Sequence, residues 1–123
     1  MIFSGLEISA ILKLAKAMVV ADGKVEKIEL AVVQNEIQRF GVKPASLQSL
    51  LKTCDAMDMS QALSIVSGLG YENKRYVAAY LGTIMAADMN IGESEMALWR
   101  LISTLCGLPT MNVAQAIEIM ASL

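Results

Sequence analysis

Residues 84–108 repeat the pattern of residues 18–42, 66 positions further on. At that offset Ala21, Asp22, Glu29, Ala31 and Gly41 meet Ala87, Asp88, Glu95, Ala97 and Gly107. Apolar character is kept at Val25/Ile91, Leu30/Met96, Val32/Leu98, Val33/Trp99 and Val42/Leu108. A segment that recurs with its acids, its apolar stripe and its closing glycine is one structural unit used twice. Each copy reads as helix, acidic loop, helix.

The intervening and flanking segments are helical as well. Ser4-Gly5-Leu6-Glu7 has the form of a capping box, and Ile8, Ile11, Ala15 and Met18 follow at helical spacing. Asp22-Gly23 is a turn signal. A second helix is predicted from about Glu26 to Phe40, with Leu30, Val33, Ile37 and Phe40 inward; Gly41 then takes the left-handed position and Val42 folds back on Ile37. Pro44 opens a third helix with Leu47, Leu50, Leu51 and Cys54. Asp58 or Ser60 caps a short fourth that ends at Gly68-Leu69-Gly70. The fifth runs from about Tyr71 to Ala87, with Tyr76 and Tyr80 at the core boundary. The sixth, from about Gly92 to Cys106, is apolar over more of its circumference through Met96, Leu98, Trp99, Leu101, Ile102 and Leu105. It is predicted to be the most buried. Asn112 caps a last helix. The expected fold class is all-α, a single domain over 1–123: a bundle of about seven helices with two duplicated helix–loop–helix units packed about an approximate twofold axis.

Composition limits the chemistry. The chain has no histidine, which excludes serine and cysteine triads, His-ligated zinc and imidazole acid–base catalysis. With aromatics at 5% of residues, the nine methionines are needed as core filler. The net charge of −2 argues against a nucleic-acid surface, and the nearest things to basic clusters, Lys24 with Lys27 and Lys74 with Arg75, are small. Cys54 and Cys106 stand apart in apolar helical stretches and read as buried thiols of a reducing compartment. No secretory signal or membrane-spanning segment is legible, so the expected location is the cytoplasm.

The repeated acids are the candidate site. Asp22 and Asp88 stand at the C-terminal end of a helix, where the dipole disfavours a carboxylate, so something local must compensate. Glu29 and Glu95 open the next helix, where the dipole favours them, and can lean back over the loop. In one reading the acids accept backbone N–H bonds and set the angle between helices. In the other, Asp22, Glu29, Asp88 and Glu95 hold a divalent cation, their oxygens suiting calcium or magnesium. The loops are not EF-hands, which need further acids inside the loop and a glutamate at its twelfth position. In the second copy Met89 and Asn90 replace Gly23 and Lys24, making it the weaker ligand site.

The motif Ala21-Asp22-Gly23-Lys24-Val25 with Glu29, repeated as Ala87-Asp88-Met89-Asn90-Ile91 with Glu95, resembles the tellurite-resistance TerB family. The same kind of domain occurs in membrane-anchored DnaJ-like co-chaperones. The resemblance implies an all-α bundle without catalytic activity. It also implies a binding or scaffold role in stress response and metal or tellurite resistance, with the acidic loops as the metal or interaction surface. A J-domain role is excluded, because its His-Pro-Asp triplet needs a histidine. The expectation is therefore a non-enzymatic module that binds a protein partner. The alternative is a structural or homo-oligomeric module whose acids only build turns.

Overall fold

The computed structural model describes residues 2–21, 27–87 and 92–123, with side chains described throughout these except at 27–30. Among the described residues every regular element is helical: α1 (Gly5–Val19), α2 (Lys27–Ile37), α3 (Pro44–Ala56), α4 (Met59–Ser67), α5 (Tyr71–Met85), α6 (Glu93–Cys106) and α7 (Val113–Ala121). A 3₁₀ turn, Gln38–Phe40, extends α2. No described helix is long and apolar enough to cross a membrane.

Helix starts are written locally. The Ser4 hydroxyl accepts the Glu7 N–H at 3.1 Å, and the Ser4 N–H donates to the Glu7 carboxylate at 2.7 Å. Asp58 with Gln61, and Asn112 with Gln115, close the same reciprocal box at the starts of α4 and α7. Each box satisfies two amides that the helix itself leaves orphaned. We expect Asp58→Ala and Asn112→Ala each to cost about 1 kcal/mol of stability, read as a lower denaturant midpoint with an unchanged slope.

Boundaries recur at the spacing of the repeat. α1 and α5 have the same length, and both ends of α5 lie 66 positions after those of α1. α2 with its 3₁₀ turn, and α6, are matched in the same way. Where α1 ends, the Val20 N–H donates to the Lys16 carbonyl and the Ala21 N–H to the Met18 carbonyl; where α5 ends, Ala86 donates to Gly82 and Ala87 to Ile84. Gly41 (φ 87°) and Gly107 (φ 67°) close the second helices in the left-handed region, which a side chain would strain. The two endings differ in detail. After Gly107 the Leu108 N–H reaches back to the Ser103 carbonyl at 2.8 Å, a Schellman bond, whereas Gly41 closes a tighter 3₁₀ turn on Gln38.

α1 and α5 form the centre of the bundle. α1 packs against α2, α3, α4, α5 and α6, and α5 against α1, α2, α6 and α7. Ile11, Leu12, Leu14 and Met18 of α1, and Val77, Tyr80, Leu81, Ile84 and Met85 of α5, are fully enclosed. The sequence expectation that α6 is the most buried helix is corrected here. α6 buries one face, Glu95, Trp99, Ile102 and Cys106, while Leu101 and Leu105 face outward. A wide apolar arc is buried only where helices stand on both sides of it, and α6 lies at the edge of the bundle.

Tyr80 also differs from expectation. It lies in the interior rather than at the boundary, with its hydroxyl donating to the Val33 carbonyl of α2 at 2.8 Å. Phe40 packs on it at a centroid distance of 5.5 Å and also touches Phe3 and Tyr76. Trp99 is core, as its spacing predicts, and its indole N–H donates to the Ala78 carbonyl at 3.2 Å. Ser9 is a buried hydroxyl whose one proton is shared between the carbonyls of Gly5 at 2.9 Å and Leu50 at 3.2 Å, and so ties α1 to α3.

Candidate functional site

The four predicted site residues sit around the two loops that join α1 to α2 and α5 to α6. Asp22 and Asp88 lie outside the described residues. Glu29 is the third residue of α2, but its side chain also lies outside them. Glu95 is the third residue of α6, and it is 1% exposed. Both glutamates thus stand in a first helical turn, where the N-terminal dipole favours negative charge. Gly92 lies close beside Glu95: a Cβ there would come 3.9 Å from the Glu95 Oε1. Of the four acids, Glu95 is the one whose side-chain surroundings fall within the described residues.

The thiols behave as the sequence predicts. Cys54 and Cys106 are buried and unbridged, and burial pushes both pKa values up. That suppresses the thiolate, the reactive form. Next to Cys54, Lys16 of α1 and Asp55 of α3 form an ion pair at 2.7 Å. The Lys16 hydrogen bond holds the Asp55 carboxyl below its usual range. The pair is exposed on both sides, which makes it a surface contact rather than a reaction centre.

Two features of α6 were not legible as a site. Leu101 and Leu105, one turn apart, are 53% and 54% exposed. On the other flank of the helix, a cleft of about 660 Å³ opens between α6 and the segment leading into α7. Comparing the copies was the available signal. The positions matching Leu101 and Leu105 hold Asn35 and Arg39, and the fully buried Ile37 is matched by Ser103.

Neither a family model nor a curated protein matches the chain. Among solved structures it is similar to PG1108 from Porphyromonas gingivalis W83, a crystal structure of a protein of unknown function, at 51% sequence identity and a TM-score of 0.92. The match covers 98% of this chain and 92% of that one. Half of all residues shared along nearly the full length of both chains is kinship of sequence as well as fold, and the chain belongs to the family of PG1108.

Proposed function

We propose that this chain is a non-catalytic, TerB-like binding domain of the cytoplasm, built from two duplicated units, that docks a protein partner on the outer flank of α6. The observation that carries the docking is the Leu101/Leu105 pair. Single exposed apolar residues are ordinary on a protein surface, but two leucines stacked at i, i+4 make a contiguous apolar strip. The fold does not require them, because the matching positions are the exposed Asn35 of α2 and Arg39 of the 3₁₀ turn that follows it. The absence of histidine and the suppressed thiols support a non-catalytic role.

Duplication is supported by the helix boundaries, by the repeated hydrogen bonds at the ends of α1 and α5 and by the paired left-handed glycines. The packing supports it too: within each unit the two helices pack together, α1 on α2 and α5 on α6, and the second helix also meets the first helix of the other unit, α2 on α5 and α6 on α1. The resemblance to the TerB family rests on the two acidic motifs, and a stress-response or tellurite-resistance role comes with that resemblance.

A photoreactive residue placed at position 101, with position 35 as its matched control, tests the docking. Position 101 is expected to give one dominant adduct in cells, reduced by Leu105→Gln, while light scattering reports a monomer for the purified chain. A concentration-dependent dimer that Leu101→Gln dissociates would establish the homo-oligomeric alternative. Equal labelling at 101 and 35 in a monomer would defeat both.

A second reading concerns the acidic loops, and Glu95 favours it. A carboxylate this buried is costly unless it is satisfied locally. Backbone amides or a divalent cation shared with Asp22, Glu29 and Asp88 would each do so. Calcium, magnesium and manganese titrated into chelator-treated protein separate the two. Cation binding is expected to raise the thermal midpoint by mass action, and Asp22→Asn to abolish the rise. No rise at millimolar ion leaves the acids as loop-builders.

A further inference from the structure

The cleft beside α6 marks where the second unit departs from the first. α3 begins three residues after Gly41, whereas α7 begins six after Gly107. Thr110 and Met111 of that longer connection line the cleft. On α6 the cleft is lined by Met96, Trp99, Arg100 and Ser103. Ser103 stands where the first unit has the core residue Ile37, so a wall that is filled in one unit is recessed in the other. The first unit has a cleft at the corresponding place, lined by Val33 and Gln34, of about 360 Å³. Lys16, Lys52 and Asp55 also line that smaller cleft, where Lys16 and Asp55 form an ion pair.

The larger cleft is lined mainly by apolar side chains. Met96, Trp99 and Met111 give it an apolar wall, and Arg100 stands where the first unit has an uncharged glutamine. Arg100 is the single charged residue of the lining, and among the described residues its guanidinium has no ion-pair partner. The volume is that of a small-molecule site. A guanidinium at the edge of an apolar wall matches a planar carboxylate, which it can hold through two parallel hydrogen bonds.

We propose that this cleft binds a small amphipathic carboxylate, its apolar tail against Met96, Trp99 and Met111 and its carboxylate on Arg100. The proposal does not rest on the Leu101/Leu105 strip, which lies on the opposite flank of α6, so either can fail alone.

The test titrates decanoate, below its micellar concentration, into the intact protein. Emission of Trp99, the chain's single tryptophan, and the thermal midpoint are the readouts. Decanol and decyltrimethylammonium serve as neutral and cationic probes with the same tail. Decanoate is expected to give a saturable change, with the other two binding at least about tenfold more weakly, the loss that follows from removing a charged hydrogen-bonded pair. Arg100→Gln, which installs the first unit's residue at an exposed position, is expected to fold normally and to bring decanoate down to the level of decanol. Thr110→Phe, in the exposed connection, is expected to fill the cleft and abolish the response. The proposal is overturned if decanoate gives no saturable change, if decanol binds as tightly, or if Arg100→Gln leaves the titration unaltered.

Discussion

Gly82→Ala is expected to destabilise the protein by about 2 kcal/mol, although the same change in an exposed helix interior would stabilise it. Alanine is favoured over glycine by about 1 kcal/mol in a helix interior. Against that stands a collision. A Cβ at Gly82 would lie 2.7 Å from the Ala116 Cβ of α7 and 2.8 Å from the Trp99 Cζ2 of α6. Neither neighbour yields easily. The Ala116 methyl has no rotamer to escape into, and the Trp99 ring is held by its bond to the Ala78 carbonyl. Relief requires α7 to move away from α5, in a contact that is the most extensive in the bundle. Overpacking of this kind costs about 1–3 kcal/mol, and here the upper part of that range outweighs the helix-propensity gain. The thermal midpoint is expected to fall by several degrees. Gly68→Ala supplies the control: a Cβ there meets only ordinary contacts, the nearest at 3.5 Å, so stability should be unchanged or slightly raised. Ala116→Gly in the Gly82→Ala background should recover part of the loss, since the two sites share one contact. A Gly82→Ala protein as stable as the parent would mean that α5 and α7 do not approach this closely.

Gly82 also shows which parts of the molecule the sequence leaves unread. The capping box at Ser4, and caps at Asp58 or Ser60 and at Asn112, are legible because the partners of a cap lie within one turn, and the starts of α1, α4 and α7 follow from them. The need for a glycine at 82 arises from Ala116 and Trp99, which are distant along the chain, and no local pattern encodes it. The same reason explains α6. Its apolar arc is visible, but which part of the arc meets another helix depends on the arrangement of the other six. Leu101 and Leu105 therefore read as core until the packing places them outside. The candidate acids are legible because they repeat, and Glu95 is the one whose burial gives the repetition a physical setting. The cleft beside α6 is hidden for a different reason. It is made by an insertion after Gly107 and by a serine in place of a core isoleucine, differences between the copies rather than their likeness.

Tyr80→Ala is expected to be the most damaging single change, costing about 3–5 kcal/mol. The ring is completely enclosed in α5, packs on Phe40 at 5.5 Å, and carries a hydroxyl bonded to the Val33 carbonyl of α2. Removing the side chain opens a cavity where α5 meets α2 and deletes the hydrogen bond as well. Tyr80→Phe keeps the ring and removes only the hydroxyl, so about 1 kcal/mol is expected, and the difference between the two variants measures the packing. The hydroxyl adds a dependence on pH. Burial raises the Tyr80 pKa well above its ordinary value of 10.0, so the native state holds the proton while the unfolded chain releases it. The contribution is fully present below pH about 10 and is lost as pH rises from there toward the native-state pKa, because ionisation stabilises only the unfolded chain. Unfolding midpoints in urea from pH 7 to 11 should fall more steeply at the alkaline end for the parent than for Tyr80→Phe. Parallel curves would show that the Tyr80 hydroxyl reaches solvent, and would also remove the Val33 bond that ties α2 to α5.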